Sequence, residues 1–156
     1  MGVSERKFGT LPTGEEIKIY HLENKSGAYA EVLSFGAILA KICVPDKTGE
    51  LRDVVLGYDD IEGYEVNGCF FGAIIGRSGN RIENARFFID DKEVVLAENE
   101  NHNNLHSGPN GFEKKLWAVK EISQEKNSVD FFRISPDGEN GFPGEFTVVV
   151  KYEFTE

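Results

Sequence analysis

The segment AYAEVLSFGAILAKICV, residues 28–44, is the longest apolar stretch of the chain and sets the fold class. Its two ends alternate well enough to read as strands, and Gly36 sits in its middle. That glycine and the β-branched residues count against a buried helix. The expectation is two short strands joined by a bend or bulge at Gly36. Outward on one side, Gly14 marks a turn before a strand over residues 16–20. On the other side, residues 45–49 (PDKTG) have the composition of a turn. A short strand over 53–56 follows, then one helical turn over 59–64 with acidic residues at its start.

The rest of the chain repeats this rhythm. Residues 70–75 form a further apolar run, expected to be buried, which leads into GRSGN. Segments 86–89 and 93–96 flank Asp90-Asp91-Lys92 as a hairpin. Residues 97–110 are polar and Asn-rich, hence a loop. Segments 117–122 and 128–134 flank a polar turn, and 135–144 is a loop dense in Gly and Pro. FTVVVKYEF, residues 146–154, is an alternating strand. Val, Ile, Phe, Tyr and Trp total 42 residues against 18 for Ala, Leu and Met, so strand formers dominate. About ten short strands with Gly-rich connections predict an all-β chain, a β-sandwich or a related antiparallel architecture. At 156 residues the chain suits one domain with a real core.

The formal net charge is −10 at pH 7. Nucleic acid and anionic membrane surfaces both need a basic face, so neither is expected as a partner. A neutral small molecule remains compatible with this balance. No stretch approaches the ~18 continuous apolar residues of a membrane-spanning helix. The start, MGVSERK, lacks the apolar core of a secretory signal. Arg6 stands where N-myristoylation asks for Ser or Thr. Cys43 and Cys69 both lie in apolar runs, so two buried free thiols in a reducing, cytoplasmic setting are expected.

Three loops hold residues that can do chemistry. Arg77 and Arg81 flank Ser78-Gly79-Asn80. Planar donors there suit sugar hydroxyls or a carboxylate, and pairing with one of the chain's own acids is the structural alternative. The spacing is not that of a phosphate loop. His102 and His106 stand four apart, which on a helix would suit zinc. The surrounding asparagines and Gly108-Pro109 argue against a helix, so no metal site is expected. His106 follows Leu105, which can anchor the loop, and is the better candidate for a hydrogen-bond donor or general acid. His102 is expected to be solvated. Asp137 and Glu139 offer either a carboxylate pair for acid–base work or a Pro-Asp-Gly turn. No Ser-His-Asp or Cys-His set is readable.

Taken in order, GRSGNRI (residues 76–82), NNLHSGPNGFEKKLW (103–117) and SPDGENGFPGEFTVVVKYEF (135–154) resemble the aldose 1-epimerase family, the galactose mutarotases. That family shows G-R-x-x-N-R-I, then N-x-L-H-G-G with G-F-D-K-x-x-W, then S-P-D-G-E-x-G-[FY]-P-G. SFGAIL (34–39) and DVVLGYD (53–59) also fit. Ser107 departs from the pattern, which usually has Gly there.

The resemblance implies a large twisted antiparallel β-sandwich with the sugar in a cleft on one sheet. It implies interconversion of the α and β anomers of an aldose, with no metal and no organic cofactor. Asn80 and Arg81 match sugar-binding residues. His106 matches an active-site histidine that contacts the sugar ring and assists the acid. The family's second histidine, a sugar-binding aspartate and the glutamate base have no matching position in these residues. Residues 1–156 therefore read as one mutarotase-like β domain, the N-terminal part of such an enzyme. Its last strand then has an edge free to pair with a second copy. A sugar-binding module without turnover and an edge-pairing fragment are the alternatives.

Overall fold

The apolar stretch around Gly36 does form two strands, and both belong to one antiparallel meander. The structure is a computed structural model and describes residues 2–156. The meander consists of β1 (Gly2–Thr10), β2 (Glu16–Glu23), β3 (Tyr29–Leu33), β4 (Leu39–Pro45) and β5 (Leu51–Asp53), hydrogen-bonded in that order. A short helix, α1 (Ile61–Val66), follows. Then come β6 (Arg81–Ile82), β7 (Arg86–Ile89), β8 (Lys92–Val95) and β9 (Asn104–Leu105). A second sheet closes the chain, with β10 (Ala118–Ser123), β11 (Ser128–Ser135) and β12 (Phe146–Glu153) in sequence order. Two small antiparallel ladders, β6 with β9 and β7 with β8, stand apart from both sheets.

The two main sheets pack face to face, which makes the predicted sandwich. Register decides which side chains meet. Tyr20 pairs with Val32 and Leu22 with Ala30, so all four point to the same face. Tyr20, Leu22 and Val32 join Val129 and Phe131 of β11, together with Phe112 and Trp117, in one buried cluster. Val148, Val150 and Tyr152 of β12 pack against it. The Phe131 ring meets Tyr20 edge-on at 5.3 Å and Tyr152 at 6.3 Å. The opposite face of the meander is apolar at one end only. There Ile17, Ile19 and Leu33 pack under Ile61 and Tyr64 of α1. Asp60 caps the helix by accepting the Gly63 N–H at 2.9 Å. Lys114 closes its other end, donating from Nζ to the carbonyls of Tyr64, Glu65 and Val66 at 3.2, 2.5 and 3.2 Å.

The bend at Gly36 has a steric cause. Its φ is +64°, and a Cβ there would lie 2.6 Å from the Glu113 carbonyl oxygen. Its N–H donates to the Lys115 carbonyl at 2.7 Å. The turn therefore holds the 112–116 segment directly against the first sheet.

One strand goes unforeseen and three expectations need correction. Residues 2–10 form a strand that composition hides, because β1 is an edge strand with only Val3 and Phe8 as sizeable apolar residues. It is held by its ladder to β2 and by cross-strand ion pairs such as Lys18–Glu5 at 2.6 Å. The strand expected over 53–56 lies over Leu51–Asp53 instead, where β4 offers a ladder. The apolar run 70–75 is a half-buried series of turns, not a buried strand. Phe70 and Gly72 both have positive φ, and a Cβ on Gly72 would lie 2.1 Å from the Leu39 carbonyl. Cys69 is consequently exposed at a turn, while Cys43 is buried on β4 as expected, and both thiols are free.

Phe131 is fully buried where the two sheets and the aromatic cluster meet. Phe131→Ala should cost about 3–5 kcal/mol by cavity formation, read as a lowered urea midpoint with an unchanged slope. A loss below about 1 kcal/mol would show that this contact does not join the sheets.

Candidate functional site

The two-residue ladder of β6 on β9 carries the candidate residues. Arg81 pairs with Leu105 and Ile82 with Asn104. One step beyond the ladder, Asn80 and His106 face each other. The His106 N–H donates to the Asn80 carbonyl at 2.9 Å, and the Asn80 N–H donates to His106 Nδ1 at 2.9 Å. An Nδ1 that accepts a backbone N–H carries no proton, so while this contact holds the ring proton sits on Nε2. Nε2 has no hydrogen-bond partner among the described residues and is not enclosed. The half-buried ring rests edge-on against Phe70, 4.8 Å between centroids. The structure thus brings Asn80, Arg81 and His106 together on one open face.

The loop that holds this face is braced from behind. The buried Asn104 amide donates to the carbonyls of Ala97 at 2.8 Å and Gly108 at 3.1 Å. Ser107, where the family pattern has Gly, is buried at φ +59°. Its hydroxyl accepts the Ser78 N–H at 2.6 Å and donates to the Ser78 carbonyl at 2.9 Å. That pair of bonds ties GRSGN to the histidine loop and offsets the left-handed backbone a serine disfavours. His102, in contrast, is exposed and pairs only with Glu98, at 2.9 Å. Among the described residues no three His, Cys, Asp or Glu side chains gather as metal ligands.

Arg77 serves structure, but through a hydroxyl and carbonyls and not through the expected pairing with an acid, which falls to Arg81 and Glu100. Nε donates to Ser135 Oγ at 2.9 Å, Nη1 to the Pro143 carbonyl at 3.0 Å, and Nη2 to the carbonyls of Ser135 and Pro136 at 3.0 and 2.8 Å. It clamps the loop that holds SPDGENGFPG. Asp137 forms the turn, accepting the Gly144 N–H across it. Glu139 is bound to Arg133, whose Nη1 and Nη2 donate at 3.0 and 2.7 Å, and it also accepts the Ser135 hydroxyl. Burial pushes the Glu139 carboxyl up, but hydrogen bonds from Arg133 and Ser135 and the charges of Arg133 and Lys115 outweigh it and hold the pKa at about 2. Such a carboxylate is too weak a base for proton transfer near neutrality.

Glu100 was not legible as a site residue. Arg81 Nε reaches its two oxygens at 3.2 and 3.1 Å, and Nη2 reaches Oε1 at 2.8 Å. Nη1 donates to Asn80 Oδ1 at 3.3 Å. Hydrogen bonding from Arg81 holds the Glu100 carboxyl below its usual range. Only the antiparallel course of β6 and β9 reveals this neighbour, nineteen residues away.

With this geometry in place, solved structures define the class. The fold matches the crystal structure of galactose 1-epimerase from Lactobacillus acidophilus NCFM, with a TM-score of 0.82 and 25% identity over 97% of this chain and 44% of that one. The family model for aldose 1-epimerase matches residues 18–156, and the chain belongs to that family. Galactose mutarotase of Bos taurus is 40% identical over 153 residues, 97% of this chain and 44% of that protein. The Homo sapiens galactose mutarotase is 42% identical over 151 residues, 96% of this chain and 43% of that protein. The chain thus spans less than half the length of these relatives.

Glu139 ties stability to pH. Its folded pKa, about 2, lies below the ordinary 4.5. Its contribution is therefore full above about 4.5 and is lost as pH falls toward 2. Glu139→Gln should cost about 3–5 kcal/mol at pH 7, because it leaves Arg133 buried and uncompensated. Thermal melts from pH 7 to 2 should show the variant's penalty shrinking below pH 4.5. A penalty constant with pH would disprove the pairing.

Proposed function

We propose that this chain supplies the sugar-recognition part of an aldose 1-epimerase site, with Asn80, Arg81 and His106 binding an aldohexose such as galactose or glucose. The reciprocal pairing of Asn80 and His106 carries the reading. It leaves Nε2–H free as a donor, while Arg81, which follows Asn80, keeps N–H groups beyond those bonded to Glu100 and Asn80. Sugar hydroxyls and the ring oxygen are neutral acceptors that suit such donors. In the reaction a base takes the anomeric hydroxyl proton and an acid protonates the ring oxygen. The bond between C1 and the ring oxygen breaks, C1 becomes a carbonyl, and rotation about C1–C2 lets closure give either anomer. His106 holds the ring oxygen through Nε2–H and so assists its protonation. Turnover needs a base and a further acid beyond these three residues, since Glu139 is committed to Arg133. Residues 1–156 act in this reading as one β domain. The two free thiols support a reducing, cytoplasmic setting, and membership of the aldose 1-epimerase family supports a place in hexose metabolism.

Galactose titration of this chain and of His106→Ala tests the reading. Loss of the donor should weaken binding by about tenfold. Equal affinity in both would overturn it. Polarimetry of freshly dissolved α-D-galactose should show no acceleration by this chain alone. Acceleration would mean that some other carboxylate in the chain serves as base.

The last strand supports a separate proposal, pairing with a second copy. β12 is hydrogen-bonded to β11 on one side only, and Phe146 and Val149 are exposed. Sedimentation should then show a dimer that Val149→Lys shifts to monomer. A monomer at all concentrations would count against edge pairing.

A further inference from the structure

We propose that Glu100 sets the charge preference of the Asn80–Arg81–His106 face, admitting neutral sugars and turning away anionic ones such as hexose phosphates and hexuronates. The inference rests on that face binding an aldose. Its basis is how Arg81 is used. A guanidinium alone at an open site is a general anion receptor, since its fork matches carboxylate and phosphate. Here one edge of that fork is already filled. Nε and Nη2 are both spent on Glu100, at 2.8–3.2 Å. Nη1 spends one N–H on Asn80 Oδ1 at 3.3 Å. The remaining donors stay available to a ligand, but the charge behind them is cancelled.

An incoming phosphate would meet the Glu100 carboxylate across the same guanidinium. It would have to displace that carboxylate or accept like-charge repulsion. The chain as a whole adds to this bias, with a net charge of −10. A hydroxyl meets no such penalty and takes the free N–H. Stability does not account for the pair. Both partners are partly exposed, Arg81 by 52% and Glu100 by 26%, and ion pairs in such settings contribute little. Glu100 lies on the loop that also holds His106, so one segment brings both the donor ring and the counter-charge. Glu100 is a specificity-determining residue acting through Arg81.

The experiment follows the Arg81 Nε–H resonance by NMR in the full chain, in Glu100→Gln and in Glu100→Asp. The probes are D-galactose, D-galactose 6-phosphate and inorganic phosphate, with sodium chloride as the ionic-strength control. Galactose should shift the wild-type resonance, and the two phosphates should not exceed the salt control. In Glu100→Gln both phosphates should bind at least about tenfold more tightly than in the wild type, with melting little changed. Glu100→Asp, which keeps the charge, should retain the wild-type preference. Phosphate responses that are the same in the wild type and Glu100→Gln would overturn the inference, whether or not galactose binds. A spectrum silent to galactose would overturn the sugar reading alone, while the phosphate arm would still decide the role of Glu100. Glu100→Ala repeats the comparison should the Gln variant fail to fold.

Discussion

A guanidinium buried between the sheets is the constraint on which the loop face depends. Arg133 lies on β11, nearly enclosed, with its charge stacked 4.5 Å over the Phe112 ring and 6.0 Å from Trp117. A desolvated cation is tolerable only when fully paired, and Glu139 is the partner. Meeting that requirement pulls residues 135–144 back over the end of β11. Arg77 then clamps the same loop from the other side through four donated hydrogen bonds. Asn140, within it, donates to the carbonyls of Ser107 and Asn110. One internal charge thereby fixes three loops that are distant in sequence.

The face those loops present is stiff at the price of unfavourable backbone. Asn80, His106 and Ser107 all have φ between +56° and +62°. Left-handed conformations cost roughly 1–2 kcal/mol per residue for side chains other than Gly, with Asn more tolerant. They persist because the surroundings over-determine them: the β6–β9 ladder, the reciprocal bonds of Asn80 and His106, and the hydroxyl of Ser107 on Ser78. Strain held this way orients donors before a ligand arrives, which lowers the ordering cost of binding.

Legibility followed the kind of force involved. Where burial alone decides, local pattern sufficed. The strands around Gly36, the hairpin over residues 86–95 and the alternating 146–153 strand all have apolar spacing set by which face meets the core. β1 escaped notice because an edge strand is held by backbone ladder bonds and ion pairs, which need no apolar period. The 70–75 run misled for the opposite reason. Its apolar residues pack around left-handed turns, and Gly72 approaches the Leu39 carbonyl more closely than a residue with a Cβ could.

The sequence by itself determined the all-β class and the family pattern, because strand periodicity and motif order are local properties of the chain. Its net charge was legible as well, because charge is additive along the chain. Tertiary structure alone decided what each charged side chain does. Arg77 and Arg133 became scaffold, Glu139 became a counter-ion, and Arg81 acquired Glu100. Ion pairing depends on distance and desolvation in space, and residues far apart in sequence meet only after two sheets and two small ladders have set the register that joins them.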